Sequence, residues 1–128
     1  MRWKIGGAAV VVVVLAVLVA ALALRASIAG SRDEIVALAR EADPTAADAV
    51  TAVMAWVADG SRPVADRNRG VWALGQLRDA RALPLLRGYL VASCRHGEDI
   101  CQHELRKAID LCAGGGPDLL RVGATAGD

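Results

Sequence analysis

Residues 5–24, IGGAAVVVVVLAVLVAALAL, form an unbroken run of 20 residues without a charged side chain. As an α-helix this run would be about 30 Å long, the thickness of the hydrocarbon core of a bilayer. The remaining residues are too few to cover such a helix on all sides. We therefore predict a signal-anchor or transmembrane segment in residues 1–30. The alternative is a cleaved signal peptide, because Ser27 and Ala29 have cleavage-site spacing, but the apolar core of such a peptide is usually only about 7–15 residues long.

The charges on either side of the run predict its orientation. Arg2, Lys4 and the amino terminus precede it, whereas Arg25 follows it and acidic residues come soon after. The slight basic excess on the N-terminal side predicts a cytoplasmic N-terminus and a C-terminal domain outside the cytoplasm. All 14 acidic residues and 12 of the 15 basic residues lie in residues 26–128, and no basic patch suggests binding to nucleic acid.

The rest of the chain has the periodicity of short helices, and no segment alternates convincingly enough for a strand. A Ser31–Glu34 capping box predicts a helix over residues 31–41, and Asp43 with Pro44 predicts the start of a second one. The apolar face of the second helix is formed by Val50, Val53, Met54 and Val57. Three further helices are expected at residues 64–77, 81–92 and 100–113. Asp79 is expected to cap the helix at 81–92, whose apolar side chains are Leu83, Leu86 and Leu90. Asp99, with Gln102 three residues later, is expected to cap the helix at 100–113.

Two segments about 37 residues apart, 69–86 and 106–120, resemble one another. The matched pairs are Arg69 with Arg106, Val71 with Ala108, Trp72 with Ile109, Leu74 with Leu111, and Gly75 with Cys112. A period of this size, built as helix–turn–helix, is typical of solenoid proteins. A generic small helical bundle is the alternative interpretation.

The segment RNRGVWALGQLRDARALPLLRGYL is similar to a HEAT repeat of the short bacterial kind. The resemblance covers residues 67–120, with one full and one truncated copy, and implies stacked antiparallel helix pairs that bind another protein. The fold class expected is therefore all-α: an N-terminal transmembrane helix, a small HEAT-like α-solenoid or helical-hairpin domain over residues 31–120, and a disordered tail at 121–128. The partner is unknown, and Trp56, Trp72 and Tyr89 are candidate interface residues because exposed aromatic side chains are favoured at interfaces.

All three cysteines and both histidines lie in residues 94–112, CRHGEDICQHELRKAIDLC. Thiols outside the cytoplasm tend to oxidise, and we expect a Cys94–Cys101 disulfide that joins the end of one helix to the start of the next. Cys112 is expected to be a reduced, buried core residue. Zinc ligation by Cys94, His96, Cys101 and His103 is the alternative, although two residues two positions apart on a helix point about 200° apart.

These patterns favour a membrane-anchored scaffold or adaptor module over an enzyme. No oxyanion-hole motif, third orienting group or Gly-rich loop accompanies the Cys and His residues, and no cofactor is expected. The alternative function is a metal- or thiol-dependent factor of the envelope that uses the Cys/His stretch 94–112.

Overall fold

A computed structural model describes residues 2–95 and 97–116, with side chains from residue 7 onward. Every regular element in these residues is helical. The helices are α1 (Arg2–Ala42), α2 (Ala49–Ala58), α3 (Val64–Leu77), α4 (Leu83–Gly88) and α5 (Gln102–Cys112), and a short 3-10 helix (Ala80–Ala82) precedes α4. The tail predicted at residues 121–128 lies outside the described residues. The chain divides into two compact units, with the boundary between Ser31 and Arg32.

The first unit contains the apolar part of α1. Its valine and leucine side chains from Val10 to Leu24 are exposed. Among the described residues, α1 is the one helix long and apolar enough to cross a membrane, a property that anchors share with signal sequences. The coarse prediction of an apolar spanning-length helix at the N-terminus is therefore confirmed.

No new helix begins at Ser31, so the predicted capping box is wrong. Alpha-helical backbone continues from α1 through residues 31–34 to Ala42. The segment after Arg25 contains no proline, and the single Gly30 is tolerated within a helix. The Glu34 carboxylate instead lies 3.3 Å from the Arg69 guanidinium of α3, and Asp33 pairs with Arg32 at 2.8 Å.

Asp48, rather than Asp43, caps α2. The Asp48 carboxylate accepts the backbone N–H of Thr51 at 2.8 Å, which is the interaction expected at an N-cap. The Asp43 carboxylate is used locally, where it accepts the N–H and the hydroxyl of Thr45 at 3.2 and 2.7 Å. Asp43 therefore closes a turn, and α2 begins five residues later than Pro44 suggested.

The bounds predicted for α3 are confirmed, whereas α4 and α5 are shorter than predicted. Asp79 caps the 3-10 helix as expected, by accepting the N–H of Arg81 at 2.9 Å. Alpha4 ends at Gly88, so Leu90 lies outside it and is 42% exposed rather than buried. Alpha5 begins at Gln102 after Cys101, and Asp99 does not cap it, because the Asp99 carboxylate accepts the N–H of Arg95 at 2.9 Å.

The core of the second unit draws on all five helices. The largest fully buried side chains are Ile35, Val53, Val57, Val71, Leu74, Leu86 and Leu105. Glycines in α3 let two neighbouring helices approach closely: a Cβ added at Gly70 would lie 2.7 Å from the Val57 side chain, and one at Gly75 would lie 3.0 Å from the Cα of Ala108 in α5. Helices α2 and α5 thus both pack against α3, which is the centre of the unit.

Candidate interaction surfaces

Trp56, the first predicted interface residue, lies in the core. Its ring is 9% exposed, and its indole N–H donates to the carbonyl of Asp66 at 3.0 Å. The Arg62 guanidinium covers the remaining ring face, 3.6 Å from the ring centroid. The expectation that Trp56 is an exposed anchor is therefore wrong, because the helical period brings Trp56 onto the buried side of α2 together with Val53 and Val57.

Trp72, the second predicted residue, is half-buried and lines a shallow groove between α3 and α5. The groove has a volume of about 50 Å³, and its lining residues are Trp72, Gly75, Gln76, Glu104, Lys107, Ala108 and Leu111. One rim carries the ion pair between Lys107 and Glu104, whose Nζ and Oε1 atoms are 3.6 Å apart. An aromatic side chain beside small apolar residues and a charged rim is a combination typical of protein-binding surfaces.

Tyr89, the third predicted residue, is half-buried just after α4. The Arg67 guanidinium lies 5.3 Å from its ring centroid and is positioned by a 2.8 Å hydrogen bond from its Nε to the carbonyl of Val57. Tyr89 also lines an open depression of about 290 Å³ together with Val91 and Ile100. The aromatic ring is therefore held in place by α3 and contributes to a second, separate surface.

Leu90 and Val91 follow Tyr89 and were missed as surface residues by the sequence analysis. They are 42% and 46% exposed, and they are the exposed large aliphatic residues among the described residues outside α1. The periodicity of the sequence predicts a helix as far as residue 92, and on such a helix Leu90 would lie on the buried face. The signal that marks the true end of the helix is Gly88, at which α4 stops.

All three cysteines are free thiols in the structure. Cys94 and Cys101 are half-buried and are not bonded to one another in the structure. The Cys94–Cys101 disulfide stays a prediction for the protein in an oxidising compartment. The expectation that Cys112 is buried is confirmed: it is 4% exposed, and its thiol lies 3.3 Å from the carbonyl of Leu74 as a weak donor. That Cys112 stays reduced remains a prediction. Burial raises the pKa of the Cys112 thiol, so this sulfur is kept as the unreactive thiol form.

The alternative zinc site has no counterpart in the described residues. No group of three or more His, Cys, Asp and Glu side chains there converges on a point that could hold a metal ion. His96, one of the four proposed ligands, lies outside the described residues. His103 is exposed on α5.

The side-chain amide of Gln102 forms hydrogen bonds to the segment that connects α4 to α5. No pattern in the sequence predicts this role. Gln102 is 6% exposed, and its Oε1 accepts the N–H of Val91 at 3.0 Å. Its Nε2 donates to the carbonyls of Tyr89 and Ile100, both at 3.1 Å. The N–H of Cys101 in turn donates to the side-chain oxygen of Asn68 in α3 at 2.9 Å. Side-chain amides therefore fix the connection between α4 and α5 in the place where the sequence suggested a disulfide.

A second polar cluster ties α2 to the 3-10 helix. Arg81 donates to the Asp48 carboxylate at 2.7 Å and to that of Asp79 at 2.8 Å. The backbone N–H of Thr51 and the Arg81 guanidinium lower the pKa of Asp48 to about 2. The hydrogen bonds from Arg81 likewise lower the pKa of Asp79. Because all three side chains are solvated, this cluster orients two helix starts rather than forming a chemical site.

No family model, curated protein or solved structure matches the chain.

Proposed function

We propose that this chain is a membrane-anchored helical module that binds another protein outside the cytoplasm. The observation that carries the proposal is the groove between α3 and α5, where the half-buried ring of Trp72 lies beside Ala108 and Leu111. A tryptophan that keeps part of its surface exposed next to small apolar side chains can bury that surface against a partner. The charged pair Glu104–Lys107 at the rim would orient the partner rather than supply most of the affinity.

The proposed architecture is HEAT-like. Its support is that the two similar sequence segments place corresponding helices side by side: α3 and α5 contact one another at Gly75 and Ala108. In a solenoid, equivalent helices of successive repeats stack in this way, and the surface that they share is the one that binds partners. With one full copy and one truncated copy, the groove is limited to this single pair of helices.

The anchor is proposed to be α1, uncleaved, with its N-terminus in the cytoplasm. A reporter enzyme that is active only in the cytoplasm, fused after Asp128, should then give no activity. The same fusion to a chain that lacks residues 1–30 should be active and serves as the control. High activity of the full-length fusion would overturn the orientation.

Photocross-linking in cells tests the binding surface. A photoreactive residue in place of Gln76, which lines the groove, should give a discrete protein adduct in membranes. The same residue in place of Arg106, exposed on α5, is the control position. Adding Trp72→Ala should remove most of the adduct at position 76 while leaving the expression level unchanged. Equal adducts at both positions, or none at position 76, would contradict a partner in this groove.

A further inference from the structure

Leu90 and Val91, hereafter the Leu90–Val91 tip, project between α4 and the loop that precedes α5. At 42% and 46% exposure they are unlike the other large aliphatic residues described in the second unit, which are buried or half-buried. Tyr89 precedes the tip directly, and the exposed Arg87 lies two residues before Tyr89, with Gly88 between them. A basic residue, a tyrosine and two aliphatic residues within residues 87–91 have the composition of a segment at a membrane–water interface, where arginine extends to the headgroups and tyrosine lies at their level.

The backbone of this segment is already paired within the protein. The N–H groups of Tyr89 and Leu90 donate to the carbonyls of Leu86 and Arg87 at 3.2 and 3.1 Å. The N–H of Val91 donates to the Gln102 side chain at 3.0 Å. An unpaired backbone N–H is costly to transfer out of water, so a segment enters an apolar medium readily only when its donors are satisfied internally. The Leu90–Val91 tip meets this requirement although it is not inside a helix.

Charge distinguishes the two sides of the tip. Arg87 precedes it, whereas Arg95 on the following side lies 3.0 Å from Glu98 and shares its charge with that carboxylate. Arg87 is therefore the exposed basic residue nearest to the tip in the chain, and it is the group we expect to meet a lipid phosphate. The second unit begins at Arg32, only eight residues after the apolar run ends at Leu24, so an anchored chain would keep this unit within a short length of chain from the bilayer.

We propose that the Leu90–Val91 tip inserts into the interfacial layer of the bilayer in which α1 is anchored. This inference rests on the membrane anchor of the proposed function, and it assigns the tip to lipid and the Trp72 groove to protein. Two aliphatic side chains are too small an apolar surface to hold a soluble domain on a membrane by themselves. On an anchored domain a contact of this size can still form, because the anchor has already removed most of the entropic cost of association.

The test uses the full chain reconstituted into vesicles of phosphatidylethanolamine and phosphatidylglycerol. Benzoylphenylalanine replaces Leu90 in one sample and Arg106 in the control, and irradiated protein is analysed by mass spectrometry for lipid adducts. We expect a lipid adduct at position 90 in several-fold higher yield than at position 106. Circular dichroism of both samples establishes that they are equally folded.

The outcomes separate this inference from the anchor on which it rests. An alkaline wash is applied before irradiation. If the wash removes the chain from the vesicles, the anchor is wrong and the tip proposal falls with it. If the chain is retained but position 90 yields no more lipid adduct than position 106, or yields an adduct with a second copy of the chain, only the tip proposal is overturned.

Discussion

Replacing Gln102 with methionine removes the side-chain amide that fixes the connection between α4 and α5. Methionine has a similar volume and a similar helix propensity, so packing and the start of α5 are nearly unchanged. Three backbone groups lose their partner: the N–H of Val91 and the carbonyls of Tyr89 and Ile100. The substitution therefore isolates hydrogen bonding from the filling of space.

The expected cost follows from where these three groups lie. The hydrogen bond to the Ile100 carbonyl is buried, and leaving such a group unpaired costs about 1–3 kcal/mol. The groups of Tyr89 and Val91 are part-buried and can turn to water, so each lost bond costs about 0.5–1 kcal/mol. The total of about 2–5 kcal/mol corresponds to a decrease in Tm of about 10 °C or more for a small domain.

Thermal unfolding of the full chain in detergent, followed by circular dichroism, measures this loss. Gln76→Met is the matched control, because Gln76 is a half-buried residue of α3 and its change should cost less than about 0.5 kcal/mol. Hydrogen exchange adds a local readout, since the amide of Val91 should lose protection in Gln102→Met alone. Equal Tm values for the two variants, or unchanged exchange at Val91, would show that the amide does not support this connection.

Three further outcomes are expected. Leu74→Ala should lower the free energy of unfolding by about 2–5 kcal/mol, because Leu74 is fully buried. Leu90→Ala, at an exposed residue, should change it by less than about 0.5 kcal/mol, and similar Tm values for the two variants would contradict the assignment of the core. The N–H of Thr51 and the Arg81 guanidinium hold the folded pKa of Asp48 at about 2, below the ordinary 3.8, so the contribution of this carboxylate to stability is present above about pH 4 and is lost as the pH falls towards 2. Asp48→Asn, which can still cap α2, should flatten the decline of Tm in that window, and an unchanged slope would show that the charge of Asp48 does not stabilise the fold. Non-reducing peptide mapping of protein isolated from the envelope should find Cys94 linked to Cys101; recovery of both as alkylated thiols would count against the disulfide.

Helices whose ends are marked by local chemistry were predictable from the sequence. Alpha3 has its predicted bounds, and Asp79 caps the next helix as its position before RALPLL suggested. Two other boundaries depend on competition between carboxylates that the sequence does not resolve. Asp43 and Asp48 are both plausible N-caps, but the Asp43 carboxylate accepts the hydrogen bonds of Thr45 instead. The Asp99 carboxylate likewise accepts the N–H of Arg95 instead of capping α5.

The candidate surfaces were predictable only where they lie on regular helices. Trp72 is half-buried on α3 and lines the groove. Trp56 was not recognised as buried, because the apolar face assigned to α2 comprised Val50, Val53, Met54 and Val57 and left the tryptophan out, although it follows Val53 by three residues. The role of Gln102 has no sequence signature, since its three partners lie up to 13 residues away in a segment without regular structure. Leu90 and Val91 became surface residues only because α4 ends early, at Gly88.

Because Gly75 has no side chain, α3 and α5 approach one another closely, and this approach sets the width of the groove beside Trp72. A methyl added at Gly75 would meet the Cα and Cβ of Ala108 at 3.0 and 3.2 Å, and backbone in the middle of a helix cannot turn aside as a side chain can. The added methyl group would push α5 away from α3 and widen the cleft beside Trp72. Larger residues at position 75 thus offer a graded adjustment of the width of the cleft, with the aromatic and charged groups at its edges left in place.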